Sequence, residues 1–237
     1  MGTTASLYHR HRFPAEIISH CVWLYFRFGL SFRDVEEMLA MRGVALTYET
    51  VREWCKKFGQ TYANNLRRRS PRPGGTWHLD EVFLKINGRI HYLWRAVDQD
   101  GDVLDILVQR NRDKKAAKKF FRKLLKGLRY VPQVIITDKL RSYSAAQAEV
   151  LPSVEHVQGK YRNNRAENFH QPKRVREYMM RRFKSSGHAQ RFLSALGVIS
   201  SHFRVGRHRY RASGYRALMI SKFTHWALAI QTRTTAY

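Results

Sequence analysis

Between residues 77 and 136 the chain reads as three strands, a long helix and a further strand, and that order restricts its fold more than any other feature. Trp77 to Ile86 has the composition of a strand, Gly88 marks a turn, and Ile90 to Val97 reads as the hairpin partner. Asp100-Gly101 makes the next turn, into a third strand from Val103 to Val108. Lys114 to Leu128 is an amphipathic helix. Ala117, Phe120, Phe121, Leu124, Leu125 and Leu128 share one face, while Lys114, Lys115, Lys118, Lys119, Arg122, Lys123 and Lys126 share the other. Val134-Ile135-Ile136 is short and wholly apolar, as expected of a strand covered on both sides.

Three antiparallel strands, a helix, a buried strand and another helix outline a mixed α/β sheet. The order suits the ribonuclease-H-like fold. Upstream lies a separate helical module. Residues 14–28 place Ile17, Ile18, Cys21, Val22, Leu24, Tyr25 and Phe28 near a helical period, after a Pro suited to a first turn and before Gly29. Ser31 with Asp34 resembles a capping box, and Val35, Met38 and Leu39 give the second helix its apolar stripe. Arg42-Gly43-Val44 turns the chain, and Thr47 caps a third helix carrying Val51, Trp54, Cys55 and Phe58. Helix, Gly-containing turn and helix fit a helix-turn-helix module, with Tyr48, Glu49, Arg52, Lys56 and Lys57 facing DNA.

Charge names the partner class. Across 237 residues, 44 Lys+Arg stand against 18 Asp+Glu, a formal +26. Such a surplus repels itself unless polyanions neutralise it, so double-stranded nucleic acid is the expected partner. No apolar run reaches the ~18–20 residues of a membrane span, and no signal-peptide core follows the polar N-terminus. The expectation is a cytoplasmic protein with no membrane and no small-molecule partner. Two cysteines, Cys21 and Cys55, have no metal-type spacing and read as small core residues. Residues 168–237 hold 14 basic residues and 1 acidic, yet they also carry Phe192, Leu196, Phe203 and Trp226, so a folded helical region is expected. The run 66–75, with Arg67, Arg68 and Arg69 beside Pro and Gly, reads as a linker that tracks a phosphate backbone.

The acids supply chemistry. Asp80 shares a strand face with Val82, Leu84 and Ile86, where an unpaired carboxylate is costly. Asp138 follows the apolar strand at its carboxyl end, where open α/β sheets bind ligands. Two carboxylates on neighbouring strand ends repel unless a cation lies between them, and oxygen-only sites suit Mg or Mn. Glu167, in a helix capped near Asn163 or Asn164, is the candidate third carboxylate, with Arg174 two helical turns on and Lys173 close by. Glu81 faces away from Asp80. Asp98, Asp100, Asp102 and Asp105 are turn and edge residues, and Asp113 caps the basic helix.

Trp77-His78-Leu79-Asp80-Glu81, Thr137-Asp138-Lys139 and Tyr161-Arg162-Asn163-Asn164 with Glu167 resemble the three signature blocks of DDE transposases. More narrowly, they resemble those of bacterial insertion sequences of IS-six type. The segments "LSFRDVEEML" and "GRIHYLWRAVD" extend the resemblance over nearly the whole chain. It implies Asp80, Asp138 and Glu167 as the catalytic and metal-binding triad, with Mg, or Mn as substitute, in two ions. Arg174 matches the basic residue that the group keeps after its Glu. Expected DNA contacts are Arg174, Lys173, Tyr48, Arg52, Lys56, Lys57, Arg67, Arg68, Arg69, Lys139 and Arg162. The implied organisation is a helix-turn-helix module at 1–65, a basic linker at 66–76, a catalytic domain at 77–184 and a basic helical region at 185–237. The implied activity is nicking at terminal inverted repeats and strand transfer into target DNA, by a dimer or larger synapse in the bacterial nucleoid. A DNA-binding regulator or an inactive relic is the alternative.

Overall fold

The computed structural model describes residues 7–138, 140–159, 183–206 and 209–231. The chain divides into two compact units, residues 72–194 and residues 1–71 with 195–237.

The first unit is built on a five-stranded sheet. Its strands are β1 (Thr76–Ile86), β2 (Arg89–Asp98), β3 (Val103–Gln109), β4 (Val134–Thr137) and β5 (Glu155–Gln158), in the order β3-β2-β1-β4-β5. The first three are antiparallel neighbours, and β4 and β5 run parallel to β1. This is the expected ribonuclease-H-like mixed sheet, extended by an edge strand whose exposed, mixed composition gave no apolar signal. Asn87 (φ 48°) and Gly88 (φ 77°) form the two-residue turn between β1 and β2. Both φ angles are positive, which Asn-Gly tolerates best, and the turn fixes the ladder register.

Two helices cover one sheet face, α4 (Lys114–Leu128) and α5 (Arg141–Val150). The expected stripe of α4 is confirmed: Ala117, Phe120, Phe121 and Leu124 are buried against Trp77, Leu79, Trp94, Ile135 and Tyr143. Asp113 caps α4, its Oδ1 accepting from Ala116 N at 2.8 Å. Asp98 holds the β2–β3 turn by accepting from Asp100 N and Asp102 N, both at 2.9 Å. A further helix, α6 (Ser186–His202), begins in this unit, where Gln190 accepts from Val108 N at 2.8 Å on the β3 edge.

The other unit is helical: α1 (Ala15–Phe28), α2 (Phe32–Ala40), α3 (Tyr48–Arg69), the end of α6, and α7 (Ala212–Ile230). Ser31 and Asp34 form the capping box, and Thr47 caps α3. Gly43 takes φ 74° in the turn before α3, a conformation open to Gly without strain. Cys21 and Cys55 are free and buried, in keeping with core roles. Phe28, expected on the buried stripe, is exposed, and Phe26 is buried in α1.

Two boundaries differ from the sequence expectation. Residues Leu66 to Arg69 close α3 rather than opening a linker. Tyr62, Ala63 and Leu66 continue the apolar period, Tyr62 meets Trp226 edge-on, and Asn65 donates to Ala229 O at 2.9 Å. The basic C-terminal region does not stand alone from 185. Phe203 packs on Trp23, and Arg27 donates to Phe203 O, so residues from 195 join the N-terminal helices. Among the described residues, no helix is long and apolar enough to cross a membrane.

Candidate active site

The β1–β4 pairing runs Thr76 with Val134, Trp77 with Ile135 and His78 with Ile136. Continued two residues along, that register sets Asp80 level with Asp138, just past the end of β4. Both acids therefore lie two residues beyond the last β1–β4 pair, on neighbouring segments of the sheet.

Each carboxylate is held differently. Asp80 is 8% exposed and stands opposite Arg95 in the β1–β2 ladder. Its Oδ1 accepts from Arg95 Nε at 3.0 Å and its Oδ2 from Arg95 Nη2 at 2.7 Å. Such a two-point, charge-assisted pair fixes the carboxylate plane. Asp138 is more open, its side chain 42% exposed. Its Oδ1 accepts from Leu140 N at 3.0 Å, a local turn that aims the side chain as the chain enters α5. Thr137, fully buried, donates from Oγ1 to Asp138 O at 2.8 Å.

The expectation that mutual repulsion would demand a metal is therefore met in part by protein cations. Arg95 neutralises Asp80, and Arg112 Nη2 lies 3.8 Å from Asp138 Oδ2. Arg112 also donates from Nε to Glu81 Oε1 at 2.8 Å. Glu81 does face away from Asp80, as the strand alternation predicts, yet Arg112 ties it to the site. Burial raises the Glu81 pKa, against the hydrogen bond from Arg112, and the negative charge of Asp138 adds to the rise. Tyr143 of α5 lies beneath this cluster, fully buried. Burial pushes its phenol well up, and the charges of Glu81, Asp80 and Asp138 push the same way.

Arg95, Arg112 and Tyr143 were not singled out from sequence. A signal for Arg95 existed: a two-residue turn at Asn87-Gly88 pairs residues equidistant from it, which sets Arg95 opposite Asp80. Arg112 lies in the connection before α4, where no periodicity applies. Tyr143 lies in a helix whose apolar pattern is weak, with only Tyr143 and Ala146 buried.

Lys139, Arg162, Glu167, Lys173 and Arg174 lie outside the described residues. The third carboxylate and four of the expected DNA contacts therefore have no geometry to report. Among the described residues, no group of three His, Cys, Asp or Glu could hold a metal. Asp80 and Asp138 offer the all-oxygen donors that suit a hard divalent ion, one buried and one open to solvent.

Three of the candidate DNA contacts of α3 already have partners, two of them carboxylates. Arg52 donates from Nε to Glu49 Oε2 at 2.8 Å, Lys56 lies 3.9 Å from Glu53, and Lys57 Nζ is 2.8 Å from His11 Nε2. Tyr48 opens the helix beneath the Arg33 guanidinium, 4.9 Å from its ring centroid. Arg67 is half-buried in the last turn of α3, where Arg68 and Arg69 are exposed.

A family whose description is "DDE domain" matches residues 74–206. The chain is 30% identical over 214 residues to the transposase for insertion sequence element IS257 in transposon Tn4003 of Staphylococcus aureus, covering 88% of this chain and 94% of that protein. The same identity and coverage hold for the transposase for insertion sequence-like element IS431mec of Staphylococcus aureus strain Mu50. Among solved structures, a simian T-cell lymphotropic virus intasome with PP2A regulatory subunit B56 gamma matches at 15% identity and a TM-score of 0.44, over 91% of this chain and 76% of that one.

Proposed function

Because this chain belongs to the DDE transposases of bacterial insertion sequences, of IS-six type, we propose that Asp80, Asp138 and Glu167 together form the active site of a DNA-joining enzyme. The observation that carries this reading is the parallel register that sets Asp80 level with Asp138 at the end of β4. When bound, divalent Mg, or Mn in its place, as one ion or two, supplies Lewis acidity toward the phosphate and the attacking oxygen.

The residues divide the remaining work. Asp80, Asp138 and Glu167 would hold the ion through carboxylate oxygens. Arg95 keeps the Asp80 carboxylate in one plane through both of its oxygens. Arg112, anchored by buried Glu81, turns an N–H-rich edge toward Asp138 and is placed to meet the scissile phosphodiester. Water opens the P–O3′ bond at the transposon end, leaving a 3′-hydroxyl. That hydroxyl attacks a phosphorus of the target and displaces the target's own 3′-oxygen, in line with its approach.

The helical unit supports recognition of the terminal inverted repeats. Tyr48, Arg52, Lys56 and Lys57 on α3 fit a recognition helix, and Arg67, Arg68 and Arg69 at its end fit phosphate contacts. Lys139, Arg162, Lys173 and Arg174, the remaining expected DNA contacts, would add positive charge for the phosphates of the DNA. Joining two ends to one target calls for a dimer or larger synapse.

The test is a duplex carrying the element's own terminal repeat, incubated with the full chain, Mg and a target plasmid. Nicking followed by joining supports the transposase. Tight binding without cleavage supports a regulator or an inactive relic, and cutting without joining supports a nuclease.

A further inference from the structure

The cations of α4 fall into two groups with different partners. Lys114 and Lys118 both pair with Glu149 of α5, and Lys123 pairs with Asp105 of β3. Lys115, Lys119, Arg122 and Lys126 are exposed, and among the described residues no carboxylate meets them. Their spacing of four, three and four puts them in one row along the helix. Arg129, the left-handed residue that ends α4, continues the row one step further.

Three features say what this row fits. At about 1.5 Å per residue, Lys115 to Lys126 spans about 16 Å. One strand of B-form DNA carries a phosphate every ~3.4 Å of axis, so the row matches about five phosphates of a strand. Residues 114–129 contain no Asn, Gln, Ser, Thr or acidic side chain, so α4 lacks the side chains that read adenine or cytosine edges, and its Lys and Arg suit phosphates. The row also starts beside the site: α4 opens two residues after Arg112, whose Nη2 is 3.8 Å from Asp138.

We propose that Lys115, Lys119, Arg122 and Lys126 form a sequence-independent docking surface for the backbone of the target duplex, leading away from the active site. The inference rests on the transposase reading, and it names target DNA because a target has no fixed sequence.

The test compares the full chain with a variant carrying Lys115→Gln, Lys119→Gln, Arg122→Gln and Lys126→Gln, by fluorescence anisotropy on a random-sequence duplex across a salt series. A control variant carries Lys114→Gln and Lys118→Gln, and thermal unfolding by circular dichroism checks that both are folded. Each lost phosphate contact lowers the slope of log K against log salt by about 0.9, so the fourfold variant should lose about 3 to 4 units of slope and about tenfold or more in affinity. The control should lose less than about one unit. An unchanged slope in the fourfold variant, an equal loss in the control, or a loss confined to a terminal-repeat duplex would overturn the proposal. An unchanged slope with an altered oligomeric state would do so too, by making the row a subunit contact. The active-site reading is judged separately, by DNA nicking with wild type and Asp138→Asn, so either can fail alone.

Discussion

Arg95 stands directly across the β1–β2 ladder from Asp80 and grips both of its carboxylate oxygens, at 3.0 and 2.7 Å. The buried Asp80 carboxylate is thus neutralised by the scaffold itself. Removing one partner of a buried ion pair strands the other charge, at a cost of about 3–5 kcal/mol. Arg95→Met should therefore lower unfolding stability by about 3 kcal/mol, measured by urea titration. Adding Asp80→Asn to Arg95→Met should recover part of the loss, and a double-mutant cycle reads that coupling. Strictly additive losses would contradict the pair's role.

Arg112 offers a pH-dependent counterpart. Glu81 is buried and its pKa is already raised by that burial, with Arg112 opposing the rise. In Arg112→Met the folded-state pKa of Glu81 should climb further above its unfolded value. A raised acid loses stability as pH rises from the unfolded pKa through the folded one. The variant should therefore be destabilised more at pH 8 than at pH 5, and a loss that does not change with pH would argue against the Arg112–Glu81 link.

Much of the catalytic sheet was legible because it follows from periodicity and turn chemistry. The apolar run Val134-Ile135-Ile136, the stripe Phe120, Phe121 and Leu124, and the Asn87-Gly88 turn each have a local cause. β5 had none, since Glu155–Gln158 is short, mostly polar and half-exposed, while α5, expected as the helix after the apolar strand, is held largely by Tyr143 and Ala146. Asp80 and Asp138 could be chosen from their strand positions. Arg95 could have been placed opposite Asp80 by counting from the Asn87-Gly88 turn, whereas Arg112 reaches Asp138 only through tertiary placement. The reach of α3 to Arg69 was hidden because the basic run masks an apolar period completed by Trp226.

The helical unit carries its own pH signature. His202 is largely buried, with Nε2 3.0 Å from Lys222 O, and burial lowers its pKa to about 4, helped by the charges of Lys222 and His225. A base depressed in the folded state binds its proton in the unfolded chain first. Stability is then full above pH ~6.5 and falls as pH drops toward 4, by up to about 3 kcal/mol. Thermal melts between pH 7 and 4 should show this fall, and His202→Gln should flatten it. An equal pH dependence in that variant would assign the effect elsewhere.

Core packing around the site is tested at Phe120, fully buried beside Trp94 with ring centroids 6.2 Å apart. Phe120→Ala removes a large ring from a site that cannot fully collapse, so a loss of about 3–5 kcal/mol is expected by urea titration. A loss below about 1 kcal/mol would mean the α4–sheet core is looser than described.

The central claim is that Asp138 and Asp80 act together on a phosphodiester. The most direct measurement is the joining of a pre-nicked terminal-repeat duplex, bearing a free 3′-hydroxyl, to a supercoiled target in Mg. Wild type and Asp138→Asn would be compared at equal protein–DNA complex concentration. Joined product from wild type, with the variant slower by about a thousandfold or more while binding the duplex equally well, is the expected result. Joining by Asp138→Asn at the wild-type rate would contradict the account.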